Sequence, residues 1–373
     1  MDMDGVFLLS ACVILYIYLG YPLLLAAWAR LRPQPPRKAR IDAVQRWPAV
    51  SIVVAARNEA DRLPARIANL LALHYPGPRE IVVVSDGSGD GTTRTVQEYL
   101  SACCVGPDTV RVLDIPAAGK PSALNAGVSV ATGDILVFAD ARQRFSTAAL
   151  LELVANFADD RVGGATGELI LDCETGTGGD SSVADGVGLY WKYEKWLRRN
   201  ESAVWSTLGA TGAIYALRRH LWQPLPADTL LDDVLAPMRA VLAGHRIVFE
   251  ERAIAYDRTS PDAQAESRRK TRTLAGNYQI LMQEPRLLIP VLNPVWLQYI
   301  SHKVGRLVVP WALLAALLSS AVLAPVRWYY AAALTVQLGF YGLAGLGAWL
   351  EWRRGSKAVA FNRLSVPLGK GAR

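Results

Sequence analysis

The chain has 373 residues, 51% of them hydrophobic and 20% charged, with a formal net charge of +7. That apolar share exceeds the globular norm and excludes a wholly water-soluble chain, so part of it belongs in lipid. The positive balance does not argue for nucleic acid, because many basic residues flank apolar runs, where anionic headgroups are a sufficient partner.

Residues 5–29 carry no Asp, Glu, Lys or Arg and are long enough to cross a hydrocarbon core of about 30 Å as a helix. A cleaved signal peptide is the alternative, and Ala27-Trp28-Ala29 has the look of a cleavage site. The leader is acidic at Asp2 and Asp4, however, and the run is longer than a signal core, which favours an uncleaved anchor over residues 1–30. Arg30, Arg32, Arg37, Lys38 and Arg40 follow it, so the positive-inside rule places the next domain in the cytoplasm, with the chain in the inner membrane. Residues 31–48 are rich in Pro and Arg and read as a linker. The four cysteines, Cys12, Cys103, Cys104 and Cys173, show neither metal-ligand spacing nor a disulfide framework, which suits a reducing compartment.

A soluble domain is predicted over 49–285. Short apolar runs at 50–56, 81–86, 110–115 and 134–140 each end in small or polar residues and read as buried parallel strands. Helical patterns at 61–73, 92–100 and 120–131 lie between them, which gives a doubly wound α/β sheet. Ligands bind such sheets at the carboxyl ends of the strands, where Ala55, Arg57, Glu59, Asp86 and Asp140 fall. Beyond Gly167 the alternation stops. An aromatic and basic helix over 189–199, with Trp191, reads equally as an acceptor or membrane-surface helix and as an amphipathic core helix. A last helix over 262–283 precedes an interfacial segment at 286–305. Two further charge-free runs, 307–326 and 328–350, are predicted to span the membrane within 306–350, and 351–373 form a cytoplasmic tail.

Several of these positions suit nucleotide-sugar chemistry. Asp86, in Ser85-Asp86-Gly87-Ser88, is a strand-end carboxylate able to accept from a uracil ring, although Asp-Gly-Ser alone is only a turn signal. Lys120 puts a cation near a helix start, suited to a diphosphate, and Asn125 follows on the same helix. Asp140 closes a buried strand where a divalent cation would bridge phosphates. Asp232 and Asp233 open a helical pattern, either as a cap with a favourable dipole interaction or as a general base that takes a proton from an acceptor hydroxyl.

With Ala55 to Glu59, Val84 to Ser88, Gly119 to Gly127, Phe138 to Arg142, Gly209 to Ala213 and Asp232-Asp233 in this order, the chain resembles glycosyltransferase family 2 over about residues 49 to 285. The group contains cellulose, chitin, hyaluronan and poly-N-acetylglucosamine synthases. The resemblance implies a GT-A-like, mostly parallel sheet with one N-terminal and two C-terminal transmembrane helices. It implies that Ala55, Arg57, Glu59, Asp86, Lys120, Asn125 and Asp140 bind a UDP-sugar, that Asp140 holds Mg2+ or Mn2+, and that Asp233, preceded by Asp232, is the base. Gly209 and Gly212 would shape the acceptor site, with Trp191 beside it. Two departures stand out. Arg142 replaces the second acid of the family's Asp-x-Asp motif, and the Gln-x-x-Arg-Trp motif survives only in Arg269, which would contact diphosphate.

The implied activity is inverting transfer of N-acetylglucosamine or glucose to a polysaccharide or lipid-linked acceptor, in contact with membrane lipids. Three helices cannot line a polysaccharide channel, so partner subunits or a homo-oligomer would be needed for secretion. The competing reading is a catalytically degenerate subunit that binds nucleotide or scaffolds an export complex. A dehydrogenase is excluded by the lack of a Gly-x-Gly-x-x-Gly turn after the first strand.

Overall fold

The computed structural model describes residues 2–39, 46–106, 109–172, 182–258 and 263–364. Its centre is an eight-stranded sheet in the order β3-β2-β1-β4-β7-β6-β8-β5. The strands are β1 Val50–Ala56, β2 Arg79–Asp86, β3 Val110–Ile115, β4 Ile135–Asp140, β5 Arg144–Phe145, β6 Val162–Asp172, β7 Ile214–Arg218 and β8 Arg246–Arg258. β1 pairs in parallel with both β2 and β4, and β2 with β3. Strands β1, β2 and β4 are buried along nearly their whole length, which is why they read as unbroken Val, Ile and Leu runs. In this register Ala55 lies opposite both Val84 and Asp140, so the ends of these three strands share one edge.

The sheet does not stop at β4. β7 pairs antiparallel with β4 and β6, and β6 then runs parallel to β8, making the sheet mixed rather than purely doubly wound. The alternation expected to end at Gly167 therefore continues in another form. β6 opens with Gly163-Gly164-Ala165-Thr166-Gly167, a composition poor in strand formers. Close approach is the reason for one of these glycines. A Cβ at Gly167 would lie 2.2 Å from the Ala253 carbonyl oxygen, beside the register shift between Gly167 and Glu168.

Apolar side chains pack on both faces of the sheet. Ile52, Val54, Ile67 and Leu70 belong to one cluster, and Val53, Leu124, Phe138, Tyr215 and Leu235 to the other. On the second face the Phe138 ring stacks between Tyr215 and Trp222, with centroids 4.7 and 4.9 Å away. The Lys120–Val130 and Asp232–Leu242 helices bury their apolar faces there, and their first residues reach the ligand-binding edge.

The chain divides into two compact units, Leu19–Leu307 and a second one formed by Met1–Tyr18 with Val308–Arg373. In the second unit the Tyr330 ring meets Phe7 edge-on at 4.9 Å, the Tyr330 hydroxyl donates to Asp4, and Gln337 donates to the Leu313 carbonyl at 2.8 Å. Among the described residues two helices, Met3–Leu31 and Trp296–Leu323, are long and apolar enough to cross a membrane. The second starts at Trp296, so the segment expected at the interface over 286–305 includes the opening turns of that helix. The run at 328–350 lies on a single helix, Trp328–Leu364, which takes in the first part of the tail expected at 351–373, and residues 365–373 lie outside the described set.

Candidate active site

Asp86, at the end of β2, is 4% exposed. Its carboxylate accepts from the backbone N–H of Ala118 at 2.7 Å and from that of Gly119 at 3.0 Å. These bonds fix the loop from which the Lys120–Val130 helix starts, and they leave part of the carboxylate's acceptor capacity unused. Asp86 is thus an organiser of the site whatever else it contacts. The loops after β1 and β2 are tied to each other: Gly89 donates to the Asn58 side chain at 2.9 Å, Glu59 to Thr92 at 3.0 Å and Ala60 to Asp90 at 3.0 Å. Arg57 is exposed at the tip, and Glu59 pairs with Arg62 at 2.8 Å.

The Lys120 ammonium lies 3.1 Å from Asp140 and 3.2 Å from Asp232, joining the ends of β4 and the Asp232–Leu242 helix. Burial alone would favour its neutral form, but Asp232, Asp140 and Asp233 outweigh burial and raise its pKa above the ordinary lysine value. Behind Asp140 sits a cation that sequence reading missed. Arg66 is 3% exposed, donates to the Asp140 carbonyl at 3.1 Å and lies 4.1 Å over the Phe145 ring, and burial lowers its pKa to about 9 despite Asp140.

Asp233 has the more consequential environment. Burial and the adjacent Asp232 push its pKa up to about 6, against the pull of Lys120, Lys303 and Arg198. Neither acid is the N-cap, which is Leu231 with no side-chain cap, but both lie in the first turn, where the helix dipole favours a carboxylate. A loop and a helix hold the Asp233 segment in place. Ala210, after Gly209 with its φ of +138°, donates its N–H to the Asp233 carbonyl at 2.7 Å. On the other side, Arg272 donates to the Leu230 carbonyl at 2.8 Å, Gln279 accepts from the Leu230 N–H at 2.9 Å, and Gly276 leaves room for Leu231. Arg269 is exposed on that same Ala263–Gln283 helix, and Arg272, one turn on, donates to the segment that leads into Asp233.

Two expected residues turn to other partners. Asn125 uses both ends of its amide on Leu225, donating to the carbonyl at 2.8 Å and accepting from the N–H at 2.9 Å. Arg142 pairs with Asp257 of β8 at 3.0 Å, and Gln143 donates to the same carboxylate at 3.0 Å. Asp257 closes the short apolar run Ala253-Ile254-Ala255-Tyr256, a signal masked by the charges of Glu250, Glu251 and Arg252 just before it. Trp191 is half-buried on the Ser182–Val204 helix, whose Arg198 donates to Thr211 at 2.5 Å, within the loop between Gly209 and Gly212.

A strand-end carboxylate loop, a lysine bridging two acids and a poised aspartate converge at one sheet edge. Residues 51–220 match the family model described as glycosyl transferase family 2. This chain carries a glycosyl transferase family 2 domain. It is 24% identical over 241 residues to the probable glycosyltransferase YdaM of Bacillus subtilis (strain 168), covering 63% of this chain and 57% of that protein. It is 21% identical over 242 residues to the poly-beta-1,6-N-acetyl-D-glucosamine synthase of Staphylococcus aureus (strain MSSA476), covering 63% of this chain and 56% of that one. The chain thus spans little more than half the length of these relatives. Among solved structures, the mannosyltransferase PcManGT from Pyrobaculum calidifontis, in complex with GDP-Man and Mn2+, superposes with a TM-score of 0.70 at 21% identity, covering 98% of this chain and 99% of that one. This likeness shows a GT-A-like fold.

Beside Asp233, Gly212 is a position sensitive to a single added carbon. A Cβ there would lie 2.8 Å from Oδ2 of Asp233. The Gly212 backbone is not in the left-handed region, so alanine adds no strain beyond that contact. Gly212→Ala is expected to displace the carboxylate and lower kcat by roughly 10²-fold, the cost of misplacing a reacting group by about 1 Å. Steady-state kinetics beside a UDP titration checks this, with nucleotide affinity unchanged.

Proposed function

We propose that the chain is an inverting glycosyltransferase that moves a sugar, N-acetylglucosamine or glucose, from a UDP-linked donor to a hydroxyl of a polysaccharide or lipid-linked acceptor at the inner membrane. The observation that carries this reading is the Asp233 carboxylate, raised to about 6 beside a lysine that bridges Asp140 and Asp232. A base with a pKa near 6 is mostly ionised at neutral pH and still basic enough to take a hydroxyl proton. The attacking oxygen then displaces the nucleotide in line, which inverts the anomeric carbon. The donor diphosphate fits at the start of the Lys120–Val130 helix, where free backbone N–H groups and the Lys120 ammonium favour an anion. Asp86 fixes that start and, with Ala55, Arg57 and Glu59 at the neighbouring loop, lies on the side assigned to the nucleoside.

The family's divalent cation fits the residues present in one form. Among the described residues no group of three His, Cys, Asp or Glu makes a complete cage. Asp140 offers a carboxylate 32% exposed, and Mg2+ or Mn2+ is commonly held by one or two carboxylates plus substrate phosphates. When bound, the ion neutralises charge on the departing nucleotide. The fold neighbour PcManGT holds Mn2+ together with its GDP-sugar. Calorimetric titration of the purified chain is expected to show Mn2+ binding at least about tenfold tighter with UDP present than without it, and Asp140→Ala to abolish that difference. Equal Mn2+ affinity with and without UDP counts against this arrangement.

The transfer itself is tested by the anomeric configuration of the product, read by NMR. An α-linked donor yielding a β-linked product supports the reading, and retention overturns it. The apolar helices Met3–Leu31 and Trp296–Leu323 support a multi-pass placement with the domain in the cytoplasm. The two helices among the described residues do not by themselves enclose a polymer channel, so partner subunits or a homo-oligomer belong to the proposal if the product is exported.

A further inference from the structure

The Ala263–Gln283 helix has two opposed faces. Arg272, Gly276, Gln279 and Gln283, three or four residues apart, share the inner one, which meets the segment that leads into Asp233. Besides the contacts of Arg272 and Gln279 with Leu230, Gln279 and Gln283 donate to the Asp228 carboxylate at 3.2 and 3.3 Å. A Cβ at Gly276 would lie 2.5 Å from Cγ of Leu231, so helix and segment are fitted closely.

The outer face is apolar and exposed. Leu274, Tyr278 and Met282 follow one another at four-residue intervals, with Met282 84% exposed. The chain that follows the helix adds Ile289, Val291 and Leu292, with Val291 91% exposed. A contiguous apolar surface of this kind is a footprint of a partner or a membrane. The Tyr278 hydroxyl donates to the Leu307 carbonyl at 3.3 Å, and Leu307 opens the charge-free run 307–326, so the stripe lies beside the point where that helix enters lipid. At about 100° per residue, Arg268 and Lys270 fall about 80° to either side of the stripe, and both are exposed. An apolar stripe flanked by cations marks a helix that lies in a membrane surface, its long basic side chains reaching the headgroups. A second copy of the chain on this face would set like charges against each other, whereas an anionic leaflet matches them.

We propose that the outer face of the Ala263–Gln283 helix docks on an anionic lipid surface, and that this docking holds the Asp233 segment in its working position through the inner face. The docking stands on the surface itself, and its kinetic consequence rests on the transfer reading above. A helix held in the leaflet keeps Arg272 and Gln279 on Leu230, three residues before Asp233. Released from the leaflet, the segment loosens and the carboxylate is misplaced, which costs rate rather than nucleotide affinity. The cytoplasmic leaflet supplies the anionic lipid, on the side where the positive-inside rule puts the domain.

The test uses the full chain in nanodiscs of phosphatidylcholine, alone or mixed with phosphatidylglycerol. For depth, the four native cysteines are replaced by serine and a bimane label is placed on Met282→Cys, on Val291→Cys or, as an aqueous control, on Glu98→Cys, whose side chain is 63% exposed. Lipid-borne nitroxide is expected to quench the labels at positions 282 and 291 and not the one at 98. For rate, kcat of UDP release by the unlabelled chain is expected to rise at least about fivefold with phosphatidylglycerol, the effect of one basic residue at an anionic surface. The double variant Arg268→Gln/Lys270→Gln should lose that rise, with its rate in phosphatidylcholine and its UDP affinity unchanged. A label unquenched at either position 282 or 291 overturns the docking, including the case in which a second copy covers the face. Equal kcat in the two lipids with both labels quenched overturns the link to Asp233. A wild type that releases UDP from no donor in either lipid counts against the transfer reading, and the quenching then decides the docking by itself.

Discussion

Replacing Asp233 with Asn is expected to lower kcat by about 10²- to 10⁴-fold, the usual contribution of a general base, and to leave UDP affinity unchanged. The amide fills the same space at the start of the Asp232–Leu242 helix but accepts no proton from the sugar hydroxyl. The wild-type pH profile carries the same information in another form. Only ionised Asp233 accepts a proton, so kcat/KM should fall as pH drops through about 6, the value to which burial and Asp232 raise this carboxylate. Below that point the loss approaches tenfold per pH unit. In the Asn variant the residual rate should lose this acid limb. A limb that persists unchanged in Asp233→Asn assigns the base elsewhere.

Lys120→Met is expected to have the next largest effect, through two separable consequences. The ammonium is the cation shared by Asp140 and Asp232, and in the proposed function it is the group that meets the donor diphosphate. Loss of one charge-assisted contact of about 1.5–3 kcal/mol should weaken UDP binding about ten- to hundredfold. Lys120 also helps to hold the Asp233 pKa down. Its removal leaves burial and Asp232 less opposed, so the acid limb of the pH profile should move to higher pH. Lys120→Arg should restore most of the limb position while recovering less of the nucleotide affinity, because the charge returns without the compact ammonium. UDP titration and a pH–rate profile on the three proteins separate the two effects. An unshifted limb in Lys120→Met contradicts the electrostatic account of Asp233.

What the sequence disclosed follows from where each signal is stored. β1, β2 and β4 were legible because buried parallel strands write themselves as continuous apolar runs, and Asp86 and Asp140 were legible as the polar ends of those runs. β3 was expected to be buried in the same way, but beyond Val110 it is half-buried or exposed and carries Arg111 and Asp114, as suits the edge strand of the sheet. β6 was hidden by its glycines, needed where Gly167 meets the Ala253 backbone, and β8 by charges such as Glu250, Glu251 and Arg252, which have partners in the fold. Asp232 and Asp233 were visible as a pair, but their unequal roles were not. Asp232 is 3% exposed and tied to Lys120, whereas Asp233 is left to titrate. That distinction depends on Gly212, Arg198 and Lys303, which arrive from three distant segments. Asn125 shows the opposite case, a residue with a suggestive position whose amide is bound to the Leu225 backbone.

Arg142 gains a physical account from the fold. Its guanidinium reaches Asp257 on β8, so the residue that replaces the second acid closes the sheet edge near Asp140. The substitution is compatible with a working site in which Asp140 is the carboxylate that meets the metal and the diphosphate supplies the remaining oxygens.

The measurement closest to the central claim is UDP release by the detergent-purified full chain across a panel of UDP-sugars with Mn2+, set beside Asp233→Asn. The account predicts release with UDP-N-acetylglucosamine or UDP-glucose that is lost in the variant, whereas a wild-type chain that neither binds UDP nor releases it from any donor would contradict a catalytic role and leave a scaffold.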